Sequence, residues 1–146
     1  MTEDWLKRRF PRLADDDFRV TSRATTVYNC VGWAAEDDRN WWSPEDFELY
    51  YWPEGAPRDW SVDAWAAAFA TVGFEPCDGA ELEPEYVRIA IYGRAGNALH
   101  AARQLPSGRW TSKLGKGVDI EHELHSLTGD TYGEVVHLMR RRIALS

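Results

Sequence analysis

The chain has 146 residues and a formal net charge of −7, from 17 basic and 24 acidic residues. That is the length of one domain, 1–146, and long enough to bury a core without a structural metal or disulfides. The acidic balance disfavours nucleic-acid and anionic-membrane partners, which need a basic surface. No apolar run approaches the ~18 residues of a spanning segment. Residues 1–12 are charged and lack the apolar stretch of a signal peptide, so a cytoplasmic protein is expected, signal-less export being the other route. Two cysteines, Cys30 and Cys77, allow one disulfide at most, and the expected compartment disfavours it.

Residues 1–18 read as a charged segment with a helical turn or two before Pro11, and residues 1–19 are expected to pack loosely. Asp15, Asp16 and Asp17 read as a solvated turn. Residues 20–28, rich in Thr and Arg, read as an extended approach. Asn29 is a good N-cap for a short helix that opens at Cys30. Gly32 weakens this helix but lets another backbone come close. Ser43 and Pro44 suit the cap and first position of a helical turn, and residues 50–55 an ordered aromatic loop. Residues 61–72 give the clearest helix. Ser61 caps it, Gly73 stops it, and Trp65, Phe69 and Val72 share one apolar face.

Residues 74–77 suggest a short strand, and residues 87–92 alternate and are β-branched, as a strand requires. Residues 100–105 and 109–114 flank Pro106-Ser107-Gly108, a hairpin signal. Residues 119–127 read as a helix. Residues 134–139 read as a last strand before Arg140-Arg141-Arg142, a solvated tail. Helices first, then an antiparallel meander, make the expected class α+β in one layered domain.

Cys30 is the strongest candidate for chemistry. A thiol at a helix N-terminus meets unpaired N–H groups, which favour the nucleophilic thiolate and can also hold an oxyanion. His100, at the start of a predicted strand, is the candidate base. A three-residue loop, Pro106 to Gly108, pairs Gln104 with Trp110 and Ala102 with Ser112. His100, Gln104, Trp110 and Ser112 then share a face, and Ser112 or Gln104 could orient the imidazole. A two-residue loop would slip the register and put Lys113 in place of Ser112. Asp119 is a further candidate orienter. The eight tryptophans, six of them from Trp33 to Trp65, suit a dense core or a cleft wall. Cys77 reads as structural. His122 and His125, three apart on a predicted helix, lack third and fourth ligands, so no metal site is expected. His137 reads as a core or edge histidine.

Tyr28-Asn29-Cys30-Val31-Gly32-Trp33-Ala34, Trp41-Trp42-Ser43-Pro44, His100-Ala101-Ala102-Arg103-Gln104 and Trp110-Thr111-Ser112-Lys113-Leu114-Gly115 together resemble a small bacterial domain family over about residues 20–141. The order of parts also resembles papain-like cysteine hydrolases, in their compact bacterial endopeptidase and amidase branch. That resemblance implies a papain-like fold, with N-terminal helices packed on the meander. It implies Cys30 as nucleophile, His100 as base and Ser112 as the third polar residue. Asn29 and Val31 depart from that branch's usual Asp before the Cys and hydroxyl residue after it.

The expected function is a cysteine hydrolase or acyl-transfer enzyme acting on an amide, peptide or isopeptide bond, without a cofactor. Asn29, Trp33, Trp41, Trp42, Trp52 and Trp110 are the expected substrate contacts, and the substrate a peptide, peptidoglycan or protein. The alternative is a non-catalytic module on the same fold that binds a protein partner through a Trp-rich surface.

Overall fold

A computed structural model of the chain describes residues 1–45 and 48–143. Its chief element is one seven-stranded sheet, and the helices are few and short. In chain order come helix α1 (Glu3–Arg9), a 3₁₀ turn (Pro11–Asp15), strand β1 (Arg19–Ser22), and helices α2 (Cys30–Ala34) and α3 (Val62–Ala70). The strands β2 (Glu75–Pro76), β3 (Tyr86–Arg94), β4 (Asn97–Gln104), β5 (Trp110–Lys113) and β6 (Asp119–His122) follow. A second 3₁₀ turn (Leu124–Leu127) and β7 (Glu134–Arg142) complete it. The strand order is β1-β6-β5-β4-β3-β7-β2, and every neighbouring pair runs antiparallel.

This overturns the expected papain-like α+β class. The helices have only five to nine residues and do not form an N-terminal layer stacked on a meander. They divide between the two faces of the sheet. Side chains alternate along a strand, and the central strands use both sides. Ile89, Ile91, Ala101 and Met139 pack with α2 and α3. Ala90, Tyr92, Ala102, Trp110 and Ile120 pack with Leu6, Phe10, Leu13 and Leu127. Burying one such side chain stabilises by about 1.5–3 kcal/mol. The segment expected to pack loosely thus places Leu6, Phe10 and Leu13 deep in the second core.

Local chemistry sets the helix limits, at Asn29 and Ser61 as expected and at Thr2 besides. Thr2, Asn29 and Ser61 each cap with a side-chain oxygen. Ser43 accepts from the Glu45 amide, while the helical turn expected after Pro44 runs into residues 46–47, outside the described residues. Residues 119–127 are corrected from helix to strand and 3₁₀ turn. β6 is held between β1 and β5, so tertiary pairing overrides the helical period. The C-terminal arginines are not a solvated tail. They lie in β7, where Arg140 pairs with Glu83 and Arg141 with Glu36.

Gly133 closes the loop that carries Tyr132, exchanging two backbone hydrogen bonds with Gly129. Its φ is +75°, and a methyl there would lie 2.2 Å from the Gly93 carbonyl oxygen. Neither backbone can yield cheaply. Gly133→Ala is therefore expected to destabilise the fold by about 2–3 kcal/mol, read as a lower urea midpoint than wild type.

Candidate functional site

β4 and β5 are registered at only two pairs, Arg103↔Thr111 and Gln104↔Trp110. This is the register expected of the three-residue loop. Beyond it a chain of side chains takes over from the backbone ladder. His100 Nε2 lies 2.9 Å from Ser112 Oγ, and Ser112 Oγ lies 2.7 Å from His122 Nε2. His122 Nδ1 lies 2.7 Å from the Glu123 carbonyl oxygen. All three side chains are fully buried. His100 and Ser112 are brought together. His122 is the member that sequence reasoning missed, because the helix expected at residues 119–127 aimed it toward His125.

The proton direction along this chain follows from its end. A carbonyl oxygen only accepts, so His122 Nδ1 donates to it. Its neutral Nε2 is then an acceptor, and Ser112 donates to it. Ser112 in turn accepts from His100 Nε2–H. His100 Nδ1 is left with a free lone pair, and it makes no hydrogen bond among the described residues. Both rings are neutral. Burial, and the repulsion that charging it beside a protonated His122 would bring, hold the His100 pKa well below its ordinary value. Burial likewise pushes His122 down to about 4. Tyr132 lies parallel on the His100 ring, centroids 4.1 Å apart, and fixes its plane.

Asp16 anchors the far end of the chain. It reads as solvated in the sequence, yet its side chain is only 3% exposed. Burial opposes its charge, but the Glu123 amide, the Ser126 hydroxyl and Arg109 together hold its pKa below the ordinary carboxylate value. Arg109 also bridges to Glu121 and Glu123, which ties the first 3₁₀ turn to β6.

Cys30 opens α2 beside the unladdered stretch of β4 and β5. The backbone amides of Ala101, Val31 and Cys30 itself point at the sulfur. Cys30 packs against the first core, whereas the His100 ring lies against Tyr92 and Tyr132 of the second, and no hydrogen bond joins the thiol to the ring. The expected lowering of its pKa is reversed. Burial pushes the thiol up to about 11, against those amides and the Lys113 charge. The helix-end effect of about 0.3–1 kcal/mol is less than one pK unit, too little to offset desolvation.

The remaining candidates have other partners. Gln104 donates to the carbonyls of Ala80 and Gly108, not to His100. Asp119 accepts from the Tyr28 hydroxyl at 2.8 Å. Lys113 is buried, with its ammonium on the carbonyls of Thr25 and Gly115. Asn29 caps α2 and clasps both backbone groups of Trp42. Trp42, Trp52 and Trp110 are buried. The indoles of Trp42 and Trp52 donate to Asp37 and Pro57. Trp33 is half-buried, bonded to Thr111 and stacked on Tyr28, and Trp41 is half-buried beside Tyr50. A groove of about 700 Å³ lies at the opposite end of β4 and shares only Gln104 with these candidates. Among the described residues no group of three or more His, Cys, Asp or Glu side chains could hold a metal ion.

A family model covers residues 19–140, and its description is a domain of unknown function, DUF7689. The chain belongs to the DUF7689 family. The match takes in both cores except for Leu6, Phe10, Leu13 and Phe18, and it spans the whole of the buried chain from His100 to Glu123. No curated protein and no solved structure matches the chain. Among the described residues no helix is long and apolar enough to cross a membrane.

The two neutral, buried histidines predict an acid-labile fold. An unfolded histidine titrates near ~6.5, whereas His122 in the native state titrates at about 4 and His100 well below its ordinary value. The unfolded state therefore binds more protons below ~6.5, and native stability falls from that pH downward toward 4. The urea midpoint should drop across this window. In His122→Gln, which can still accept from Ser112 and donate to Glu123, the slope should be shallower. An unchanged slope would mean that His122 is not held neutral.

Proposed function

We propose that this chain is a cysteine hydrolase or acyl-transfer enzyme acting on an amide, peptide or isopeptide bond. Cys30 is the nucleophile and His100 the base. The observation that carries the reading is the direction of the buried chain. With Nε2–H committed to Ser112, His100 keeps an unused Nδ1 lone pair on the strand whose Ala101 amide points at the Cys30 sulfur.

In this reading the sulfur attacks the substrate carbonyl carbon, and the thiol proton passes to His100 Nδ1. The amides of Cys30 and Val31 donate to the oxyanion. Collapse of the tetrahedral intermediate breaks the C–N bond, and His100 returns the proton to the leaving amine. Water then hydrolyses the thioester, or an amine takes the acyl group. Ser112 and His122 act through His100, holding its tautomer. A thiol at about 11 stays protonated at rest, so the proton moves only as the C–S bond forms. The same raised value favours a second reading, a non-catalytic module that binds a protein partner.

p-Nitrophenyl acetate separates the two readings, with Cys77 as an internal reference thiol. The enzyme reading expects a thioester at Cys30, located by mass spectrometry, forming faster than at Cys77. His100→Gln should slow it about a hundredfold, the usual worth of a general base. Acetylation of Cys30 no faster than Cys77, or unaffected in His100→Gln, would leave the binding module.

A further inference from the structure

We propose that the small cleft between α1 and Tyr132 binds an apolar amino-acid residue with a free carboxylate, and that Arg9 holds the carboxylate. The proposal rests on the hydrolase reading only for what that residue belongs to. In that reading it is the C-terminal residue of a peptide or N-acyl amino acid.

The cleft has a volume of about 220 Å³ and apolar walls from Met1, Trp5, Phe10, Leu114 and Tyr132. Ligand pockets typically measure roughly 300–1,000 Å³, so this one has room for a single side chain. Arg9 is its charged wall. Most arginines of this chain are engaged, among them Arg88, Arg109, Arg140, Arg141 and Arg142 in ion pairs. Among the described residues, the Arg9 guanidinium has neither ion pair nor hydrogen bond. Its backbone is pinned, since the Arg9 carbonyl accepts from Thr131 on the loop beside Tyr132.

An unpaired guanidinium against an apolar wall, in a chain of net charge −7, is complementary to a carboxylate on an apolar group. The planar guanidinium suits a bidentate carboxylate. The wall shared with the candidate site is Tyr132, whose ring also stacks on His100. A residue seated in the cleft therefore touches the side chain that packs on the base.

Calorimetric titration with N-acetyl-L-phenylalanine and with its primary amide tests this. The acid should bind about tenfold or more tightly than the amide, the scale of a charge-assisted hydrogen bond. Arg9→Gln should abolish that preference while leaving the urea midpoint unchanged, because Arg9 is exposed. Cys30→Ala should bind the acid as wild type does. Equal affinity for acid and amide, binding of neither, or a preference that survives Arg9→Gln would overturn the proposal. The acid preference without acylation of Cys30 would leave the cleft standing and remove the hydrolase; acylation without the preference would do the reverse.

Discussion

A carbonyl oxygen can only accept a hydrogen bond, and in this protein that limit propagates through three side chains. The Glu123 carbonyl sets the tautomer of His122, which sets the hydroxyl of Ser112, which sets the tautomer of His100. The chain also does mechanical duty. β4 and β5 are paired at only two positions, and where that pairing ends the buried polar chain links β4, β5 and β6. Every member except His100 Nδ1 is satisfied, which is why the rings can stay neutral and buried without a counter-charge. Removing the middle hydroxyl would strand two buried ring nitrogens at once.

Cys30 shows how competing terms resolve. The helix end and three backbone amides favour the thiolate, as does Lys113. Burial against α2 and the first core opposes it, and burial wins. A short helix of five residues has little macrodipole to contribute. A nucleophile in this setting depends on a base that takes the proton during attack, rather than on a preformed ion pair. The free lone pair of His100 is the feature of the site that fits this need. Tyr132 belongs to both sides of the picture, since it stacks on the His100 ring and also lines the small cleft beside Arg9.

Some of this was legible in the residues. Ser61 and Gly73 bracket α3, and Asn29 caps α2. The Pro-Ser-Gly turn implied the Gln104↔Trp110 register, and with it the meeting of His100 and Ser112. What stayed hidden lies in the segments where sequence period and environment disagree. Residues 119–127 carry a helical spacing of histidines, but strands on both sides claim Asp119–His122. Gln104 looked as suited to orient His100 as Ser112, yet the carbonyls of Ala80 and Gly108 take its amide. The tryptophans expected to line a cleft mostly fill cores instead, because a large apolar ring gains more from burial than from a place on a rim.

The sequence by itself determined the caps of α2 and α3, the stop at Gly73, the alternation of β3 and the hairpin register, which are short-range matters of dihedral preference and hydrogen-bond geometry. Only the tertiary structure decided the layering, the identity of the third polar residue's partner, and the protonation state of the thiol. Those depend on which distant strand lies alongside and how much water remains, and desolvation is a property of the assembled surroundings rather than of any neighbouring residue in the chain.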